Sequence, residues 1–114
     1  MRVLICGDRD WDDKEIIRHY IPLLIDCVIE GGARGADTCA RLVAEELGIP
    51  IIEFPAKWGE YGKAAGPIRN KQMLTEGKPD LVLAFHDDIE NSKGTKNMME
   101  QAKKAGIATL LYHH

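Results

Sequence analysis

The chain has 114 residues, 45% of them hydrophobic, which fits one domain with a single core. Its formal net charge is −3 and its acidic and basic residues are interspersed, so it lacks the broad positive field of a nucleic-acid-binding protein. It also lacks an apolar run of the roughly 20 residues that span a bilayer, and the layout of a signal peptide. Neither a nucleic-acid partner nor a membrane location is therefore expected.

The cysteines indicate the redox environment of the chain. Cys6, Cys27 and Cys39 lie in or beside apolar stretches and lack CxxC spacing, so we expect buried, reduced thiols in a cytoplasmic protein. A chain of this length buries somewhat less than about 70% of its unfolded surface. Self-association would cover more apolar surface, which favours a homo-oligomer.

Strands and helices alternate through the N-terminal half. Residues 2–6 (RVLIC) form an apolar run typical of a buried parallel strand. Apolar residues at helical spacing then predict a helix over 14–25. A second buried strand is predicted at 27–30 (CVIE), and the pattern over 36–47 predicts a second helix.

The first predicted helix carries signals at both ends. Asp12 and Asp13 precede it, and either can serve as its N-cap. Its predicted inward face includes Leu23 and Leu24, while Pro22 can end the helix earlier.

The C-terminal half continues the alternation. In chain order we predict a strand at 49–54, a loop at 55–65, a helix at 67–76, a strand at 81–85, a helix at 94–105 and a strand at 107–112. Such alternation gives right-handed crossovers between parallel strands. We therefore expect a three-layer, Rossmann-like α/β fold, an open parallel sheet of about five strands with helices on both faces.

Glycine-rich turns lie between predicted strands and helices. Gly7, followed by Asp8 and Arg9, ends the first strand, residues 31–37 (GGARGAD) follow the second, and Gly94 opens the last helix. Ligands bind at this edge of open α/β sheets. A glycine lets backbone N–H groups approach a phosphate, and a helix N-terminus adds roughly half a positive charge. We therefore expect a phosphate-bearing ligand.

The segment 31–37 matches neither GxGxxG nor GxxxxGK[ST], so we expect neither an ordinary dinucleotide site nor a Walker-type triphosphatase. It can be a tight turn that needs positive φ, or a cradle for phosphate. In a cradle the ligand-binding residues are Gly32, Ala33, Arg34, Gly35, Ala36 and Asp37. Asp37 is interpreted first as a plain N-cap and second as a ligand contact.

Two other helix entrances carry candidate ligand contacts. Gly66 and Pro67 open the third predicted helix and put Arg69 and Asn70 in its first turn, where a cation gains nothing from the helix dipole. Bidentate phosphate binding explains that arginine, and a solvent-exposed side chain is the alternative. At the last helix the candidates, with capping by the serine as the alternative, are Ser92, Gly94 and Thr95.

Loop aromatic and acidic residues give weaker signals. Trp58 can stack on a base or pack on its own surface, and Trp11 is the weaker candidate of the two. Asp87 and Asp88 follow the fourth predicted strand without a second carboxylate cluster, which favours a solvated loop over a metal site. We expect no metal and no cofactor.

Four segments together resemble the SLOG superfamily: GDR after the first strand, GGARGAD after the second, AAGPIRNKQM at the third helix and SKGTKNMMEQAKKAG at the last. Within it the chain, as one domain of residues 1–114, resembles the small branch named for YspA and YpsA. The resemblance implies a Rossmann-like fold and a nucleotide or nucleotide-derived ligand. It places near that ligand Gly7, Arg9, Gly32, Gly35, Asp37, Gly66, Arg69, Asn70, Gly94 and Thr95.

The same superfamily contains the LOG enzymes, which cleave the N-glycosidic bond of a nucleoside monophosphate with an arginine and a glutamate. Arg69 resembles that arginine, but Met98 occupies the glutamate position of the PGGxGTxxE segment. Glu100 lies two residues on, about 200° around the helix. We therefore expect a sensor or sequestering module for a nucleotide or a nucleotide-derived ligand, such as an ADP-ribose-like molecule. The alternative is an N-glycoside hydrolase, or phosphoribohydrolase, in which Arg69 acts with Asp37 or Glu100.

Overall fold

The computed structural model describes residues 1–114 and contains one sheet of five strands. In chain order these are β1 (Arg2–Gly7), β2 (Cys27–Glu30), β3 (Ile51–Glu53), β4 (Leu81–Phe85) and β5 (Ala108–Tyr112). Their order across the sheet is β3-β2-β1-β4-β5, and every neighbouring pair is parallel. The predicted parallel sheet is confirmed.

Helices cover both faces of the sheet. They are α1 (Lys14–Tyr20), α2 (Ala36–Leu47), α3 (Trp58–Tyr61), α4 (Ala65–Thr75) and α5 (Gly94–Lys104), with short 3₁₀ turns at Gly62–Ala64 and Ile89–Asn91. α1 packs with α2, and α4 packs with α5. This arrangement confirms the three-layer Rossmann-like fold. A bilayer would need a longer and more apolar helix than any of these.

Two apolar layers, one on each face, hold the sheet in place. Val3 and Ile5 of β1 are buried in the layer that includes α2, whereas Leu4 and Cys6 are buried in the layer that includes α4 and α5. A strand buried on both faces must be apolar throughout, which is why RVLIC lacks alternation. Each cysteine is buried and unpaired, as expected from its apolar neighbours.

The first helix is shorter than predicted. α1 ends at Tyr20 because Ile21, which precedes Pro22, is extended at φ −66° and ψ 125°. Leu23 and Leu24 therefore lie outside the helix and are strongly exposed, so their predicted place on its inward face is wrong.

The connection from β3 to β4 also differs from prediction. β3 spans only Ile51–Glu53, and the predicted loop contains α3 and the 3₁₀ turn Gly62–Ala64. α4 begins at Ala65, two residues earlier than predicted, because the turn before it already has helical geometry. Arg69 and Asn70 consequently lie in the second turn of α4 and not in the first.

Asp13, and not Asp12, caps α1. Its Oδ1 accepts a hydrogen bond from the amide of Ile16 at 3.2 Å. We expect Asp13→Ala to lower the free energy of unfolding by about 0.5–2 kcal/mol because a first-turn N–H loses its acceptor. Urea denaturation measures the loss, and Asp12→Ala is the matched control, with a change near zero. Equal losses in the two variants would contradict the assignment of the cap.

Candidate functional site

The candidate site lies at the carboxyl edge of the sheet. From β1 the chain runs outward through β2 to β3, then crosses to β4 on the other side of β1 and continues to β5. In open α/β sheets, ligands bind in the crevice where the strand order reverses in this way. Here the crevice is bordered by the loop after β1, the starts of α2, α4 and α5, and the residues Gly31–Gly35, which we call the glycine loop.

Two predicted ligand-binding glycines are required by close backbone packing. A Cβ on Gly7 would lie 2.2 Å from the carbonyl oxygen of Phe85 and 2.8 Å from the Cβ of Ala36. A Cβ on Gly35 would lie 2.2 Å from the carbonyl oxygen of Asp8. That same carbonyl accepts a hydrogen bond from the Ala36 amide at 3.0 Å. These glycines let α2 start directly against the ends of β1 and β4.

The first half of the glycine loop is held by two carboxylates of the protein itself. The Asp37 Oδ2 accepts hydrogen bonds from the amides of Gly31 at 3.1 Å and Ala33 at 3.3 Å, and the Glu30 Oε2 accepts one from the Gly32 amide at 2.6 Å. The N-cap of α2 is Gly35, without a side-chain cap. The interpretation of Asp37 as an N-cap is therefore wrong: its carboxylate lies inside the first turn and points back at the loop.

The second half of the glycine loop leaves backbone donors free. Ala36 donates to Asp8, and Cys39 donates to Gly35. Four neighbouring amides donate to no group of the protein: those of Arg34, Gly35, Asp37 and Thr38. Unpaired N–H groups at the start of a 12-residue helix favour an anion there.

Arg69 reaches the glycine loop from α4. Its Nη1 donates to the Gly31 carbonyl at 2.7 Å and its Nε donates to the Asn70 Oδ1 at 3.1 Å. A Cβ on Gly31 would lie only 2.3 Å from that Nη1, so the glycine makes room for the guanidinium. Arg69 is partly buried, yet it forms no salt bridge within 4.0 Å. A cation in such surroundings with neutral partners alone has capacity left for an anion.

Asn70 connects the two helices of its layer. Its Nδ2 donates to the carbonyl of Gly94 at 3.2 Å and to the Oδ1 of Asn97 at 3.1 Å, and the side chain is buried. The same Asn97 Oδ1 accepts from Gln101 at 2.7 Å. The structure thus makes Asn70 a bridge between α4 and α5 and fixes the start of α5 beside Arg69.

Three acidic side chains meet under the glycine loop. Burial raises the pKa of Asp37 to about 6, although the Ala33 amide, Arg69 and the Gly31 amide hold it down. Burial and a hydrogen bond with Glu53 raise the pKa of Glu30 to about 8, against the opposing effect of its bond from the Gly32 amide. Carboxyl groups of this kind change protonation near neutral pH, which is typical of functional sites.

A groove beside α4 extends the site. It has a volume of about 300 Å³ and lies between α4 and the segment 55–61. Arg69, Lys57 and Lys71 make it basic, and Tyr61 contributes a half-exposed aromatic ring. Arg69 therefore belongs both to the glycine loop and to this groove.

A family model described as the YspA, cpYpsA-related SLOG family matches residues 1–61, more than half of the chain. The chain belongs to this family. A relative is the Gene 61 protein of Mycobacterium phage D29, which is 36% identical over 121 residues, covering 96% of this chain and 94% of that protein. Membership of the SLOG family implies a nucleotide-related ligand-binding function or a related one. The matched residues include the glycine loop and Asp37, whereas Arg69 lies beyond them.

The α5 segment has no carboxylate at the position that corresponds to the LOG glutamate. Met98 occupies that position and is buried in the apolar layer between the sheet and the helices α4 and α5. Glu100 is exposed and lines a separate groove with Lys103 and Leu111, a groove that does not include Arg69. Asp37 and Arg69, in contrast, both lie against Gly31.

The other candidates of this SLOG domain lie around the same edge. Arg9 and Arg34 are exposed, and Arg34 pairs with Asp10 at 3.4 Å. Ser92 accepts a hydrogen bond from the Thr95 amide at 3.1 Å, so it does act as a cap. At the start of α5 Gly94 also has a structural role, since its carbonyl accepts the hydrogen bond from Asn70.

The two tryptophans differ in their surroundings. Trp58 is 59% exposed and its ring lies against Gly66, 3.4 Å from where a Cβ would stand. Trp11 is buried in the core and stacks on His114 with ring centres 4.0 Å apart. The carboxylate of Asp87 pairs with the same histidine, at 2.7 Å from its Nδ1. No group of three or more His, Cys, Asp or Glu side chains is placed to hold a metal ion.

Sequence analysis missed Glu30. It was assigned to an apolar strand, and its side chain is indeed completely buried at the end of β2. The available signal was a carboxylate closing an otherwise apolar run, roughly 20 residues after the first glycine turn, where Rossmann folds commonly place an acidic residue. Its Oε1 is buried and receives no hydrogen bond from any donor of the protein.

Proposed function

We propose that this domain binds a nucleotide or a nucleotide-derived ligand that carries phosphate and ribose, such as an ADP-ribose-like molecule. It acts as a sensor or a sequestering module in the cytoplasm. The ligand lies along the carboxyl edge of the sheet, from the start of α2 to the groove beside α4. Arg69 stands between the two and binds phosphate.

The observation that supports this proposal most strongly is that Arg69 is held in place without a carboxylate partner. Its guanidinium is partly buried and oriented by Gly31 and Asn70, but no carboxylate pairs with it within 4.0 Å. A fixed guanidinium has the donor geometry that phosphate oxygens need. The Nη2 nitrogen donates to no protein group, so it is available to a ligand.

The surroundings of Arg69 support the same ligand class. The free amides at the start of α2 add donors for phosphate, and Lys57 and Lys71 add positive charge along the groove. Tyr61 offers a ring on which a base can stack. The net charge of the whole chain is negative, so attraction is confined to this edge and a long nucleic acid is disfavoured.

Arg69→Ala is expected to weaken ligand binding about 10- to 100-fold, since a charge-assisted hydrogen-bonded contact contributes roughly 1.5–3 kcal/mol. A thermal-shift screen of nucleoside phosphates, ADP-ribose, NAD and cyclic nucleotides identifies the ligand. A ligand present at 100 times its Kd should raise stability by about 2.7 kcal/mol. Calorimetry on the best hit then compares the variant with the parent.

Arg41→Ala is the matched control, because Arg41 lies on α2 and pairs only with Glu45, at 3.1 Å. It should bind as tightly as the parent. Equal affinities for the parent and for folded Arg69→Ala would refute the proposed role of Arg69. Absence of any shift across the screen would refute nucleotide binding.

One observation favours an N-glycoside hydrolase as a second candidate. The buried Asp37, with its pKa near 6, lies beside Arg69 at Gly31, and a carboxylate beside a phosphate-binding arginine can stabilise an oxocarbenium-like transition state. Chromatography of each hit after incubation distinguishes the two functions. Free base indicates the hydrolase, and intact ligand indicates the binding module.

A further inference from the structure

Glu30 and Glu53 form a carboxyl pair beneath the glycine loop. They occupy matching positions on the parallel neighbours β2 and β3, so their side chains point to the same face of the sheet. Glu30 is completely buried, whereas Glu53 is exposed. The pair therefore extends from the buried interior, at Glu30, to the solvent-exposed surface, at Glu53.

The two oxygens of Glu30 have different environments. Oε2 accepts from the Gly32 amide at 2.6 Å, while Oε1 is buried and has no donor. A buried carboxylate oxygen without a donor is costly, but a protonated one needs only an acceptor. Glu53, paired with Glu30 across the two strands and hydrogen-bonded to it, supplies that acceptor. Its side-chain atoms also lie 3.2–3.3 Å from where a Cβ of Gly32 would stand.

We propose that Glu30 is a positioning residue for the glycine loop: it shares one proton with Glu53 and, through the Gly32 amide, holds the loop in the conformation that Arg69 and Asp37 engage. The statement that this loop serves a ligand rests on the proposed function. The inference that Glu30 and Glu53 share a proton does not depend on that function.

The charges around Glu30 explain why a proton is retained near neutral pH. Glu53 faces it from β3 and Asp37 from α2, and both are acidic. On β1 the residue after Leu4, which pairs with Ile29, is the apolar Ile5. The cation of α4, Arg69, donates to the carbonyl of Gly31. Burial and these carboxylates together raise the pKa of Glu30 to about 8.

The sign of the pH effect follows from this pKa. Between the ordinary glutamate pKa of about 4.5 and about 8, the unfolded chain has lost the proton that the folded chain keeps. The contribution of the proton to stability is thus complete at acid pH, declines as pH rises through this window and is lost above about pH 8. The pKa of Asp37 is raised to about 6, so its contribution to stability also declines with rising pH, between its ordinary pKa of 3.8 and about 6.

Side-chain carboxyl ¹³C NMR of the full-length protein tests the shared proton directly. We expect Glu30 to titrate near pH 8 and its midpoint to fall in Glu53→Gln, which removes the neighbouring negative charge. Glu60→Gln, at an exposed glutamate of α3, should leave the midpoint unchanged. A Glu30 midpoint below about 5.5 would overturn the proposal.

Amide hydrogen exchange tests the positioning role. Once Glu30 loses the shared proton, repulsion by Glu53 and Asp37 should displace its carboxylate from the loop despite the hydrogen bond from Gly32. After correction for intrinsic rates, protection of the Gly32 and Ala33 amides should therefore fall at least about tenfold between pH 6.5 and 9 in the parent protein. In Glu30→Gln, whose amide oxygen can still accept from Gly32, protection should not depend on pH. A parent protection that is constant over this range would overturn the role. Neither measurement uses a ligand. Their results therefore test this proposal independently of whether the domain binds a nucleotide.

Discussion

Gly35→Ala is expected to lose roughly 2–6 kcal/mol of folding free energy, the largest stability effect of the substitutions considered. Gly35 has φ +79°, and its Cβ would lie 2.2 Å from the Asp8 carbonyl oxygen and 2.4 Å from the Arg9 carbonyl carbon. Backbone strain at positive φ and a clash in a packed region each cost about 1–3 kcal/mol. Since small domains have about 5–15 kcal/mol in total, the melting temperature should fall by at least about 10 °C.

Gly48→Ala separates the two costs of that substitution. Gly48 ends α2 at φ +70°, but its Cβ would meet no atom within 4 Å. Gly48→Ala should lose only the folding free energy that backbone strain costs, about 1–2 kcal/mol. Chemical denaturation of both variants measures the difference. If the two losses were equal, the close approach of the first loop to the start of α2 would have no energetic importance.

Gly31→Ala is expected to weaken ligand binding about 10- to 100-fold, as much as loss of the arginine itself. The added methyl would lie 2.3 Å from the Arg69 Nη1 and 2.7 Å from its Cζ, so the guanidinium must leave the Gly31 carbonyl. The new Cβ would also lie 2.9 Å from the buried Asp37 Oδ2. The chain should still fold, with a loss of about 1–3 kcal/mol, because both contacts are with the ends of side chains and not with backbone.

A double-mutant cycle identifies the cause of that loss. If Gly31→Ala acts by displacing Arg69, the combination with Arg69→Ala should bind no more weakly than Arg69→Ala alone. Gly59→Ala is the control glycine substitution, since nothing lies within 4 Å of the new Cβ. Additive losses in the cycle would show that Gly31 influences the ligand independently of Arg69.

The sequence was sufficient for the fold because its strongest signals are local. Apolar runs define the strands, with glycine closing the first two, and helical spacing defines α2 and α5 within a residue of their observed ends. Prediction failed where the same local sequence pattern was compatible with two structures. Helical spacing continued through Leu23 and Leu24, but Pro22 ended α1, and the loop after β3 proved to contain α3.

The site was predictable only as a location. The glycine turns and the entrance of α4 indicated the edge at which we propose that the ligand binds, and Arg69 was predicted to lie there. No pattern in the sequence shows that the Asp37 carboxylate turns back onto the Gly31 and Ala33 amides, or that Glu30 and Glu53 become neighbours across two strands. The Glu30–Glu53 contact exists only once the sheet has formed its register. The Asp37 contacts are local in sequence, but they depend on the conformation of the glycine loop, which the residue pattern does not specify.

The bond from Arg69 to Gly31 joins two parts of the polypeptide that are 38 positions apart. The glycine loop belongs to the first half of the chain, and the arginine arrives only after the crossover from β3. A fragment that ends before α4 would carry the glycine loop without Arg69, so the proposed ligand site is complete only in the whole domain. During synthesis this proposed site therefore forms only after the second half of the chain has emerged.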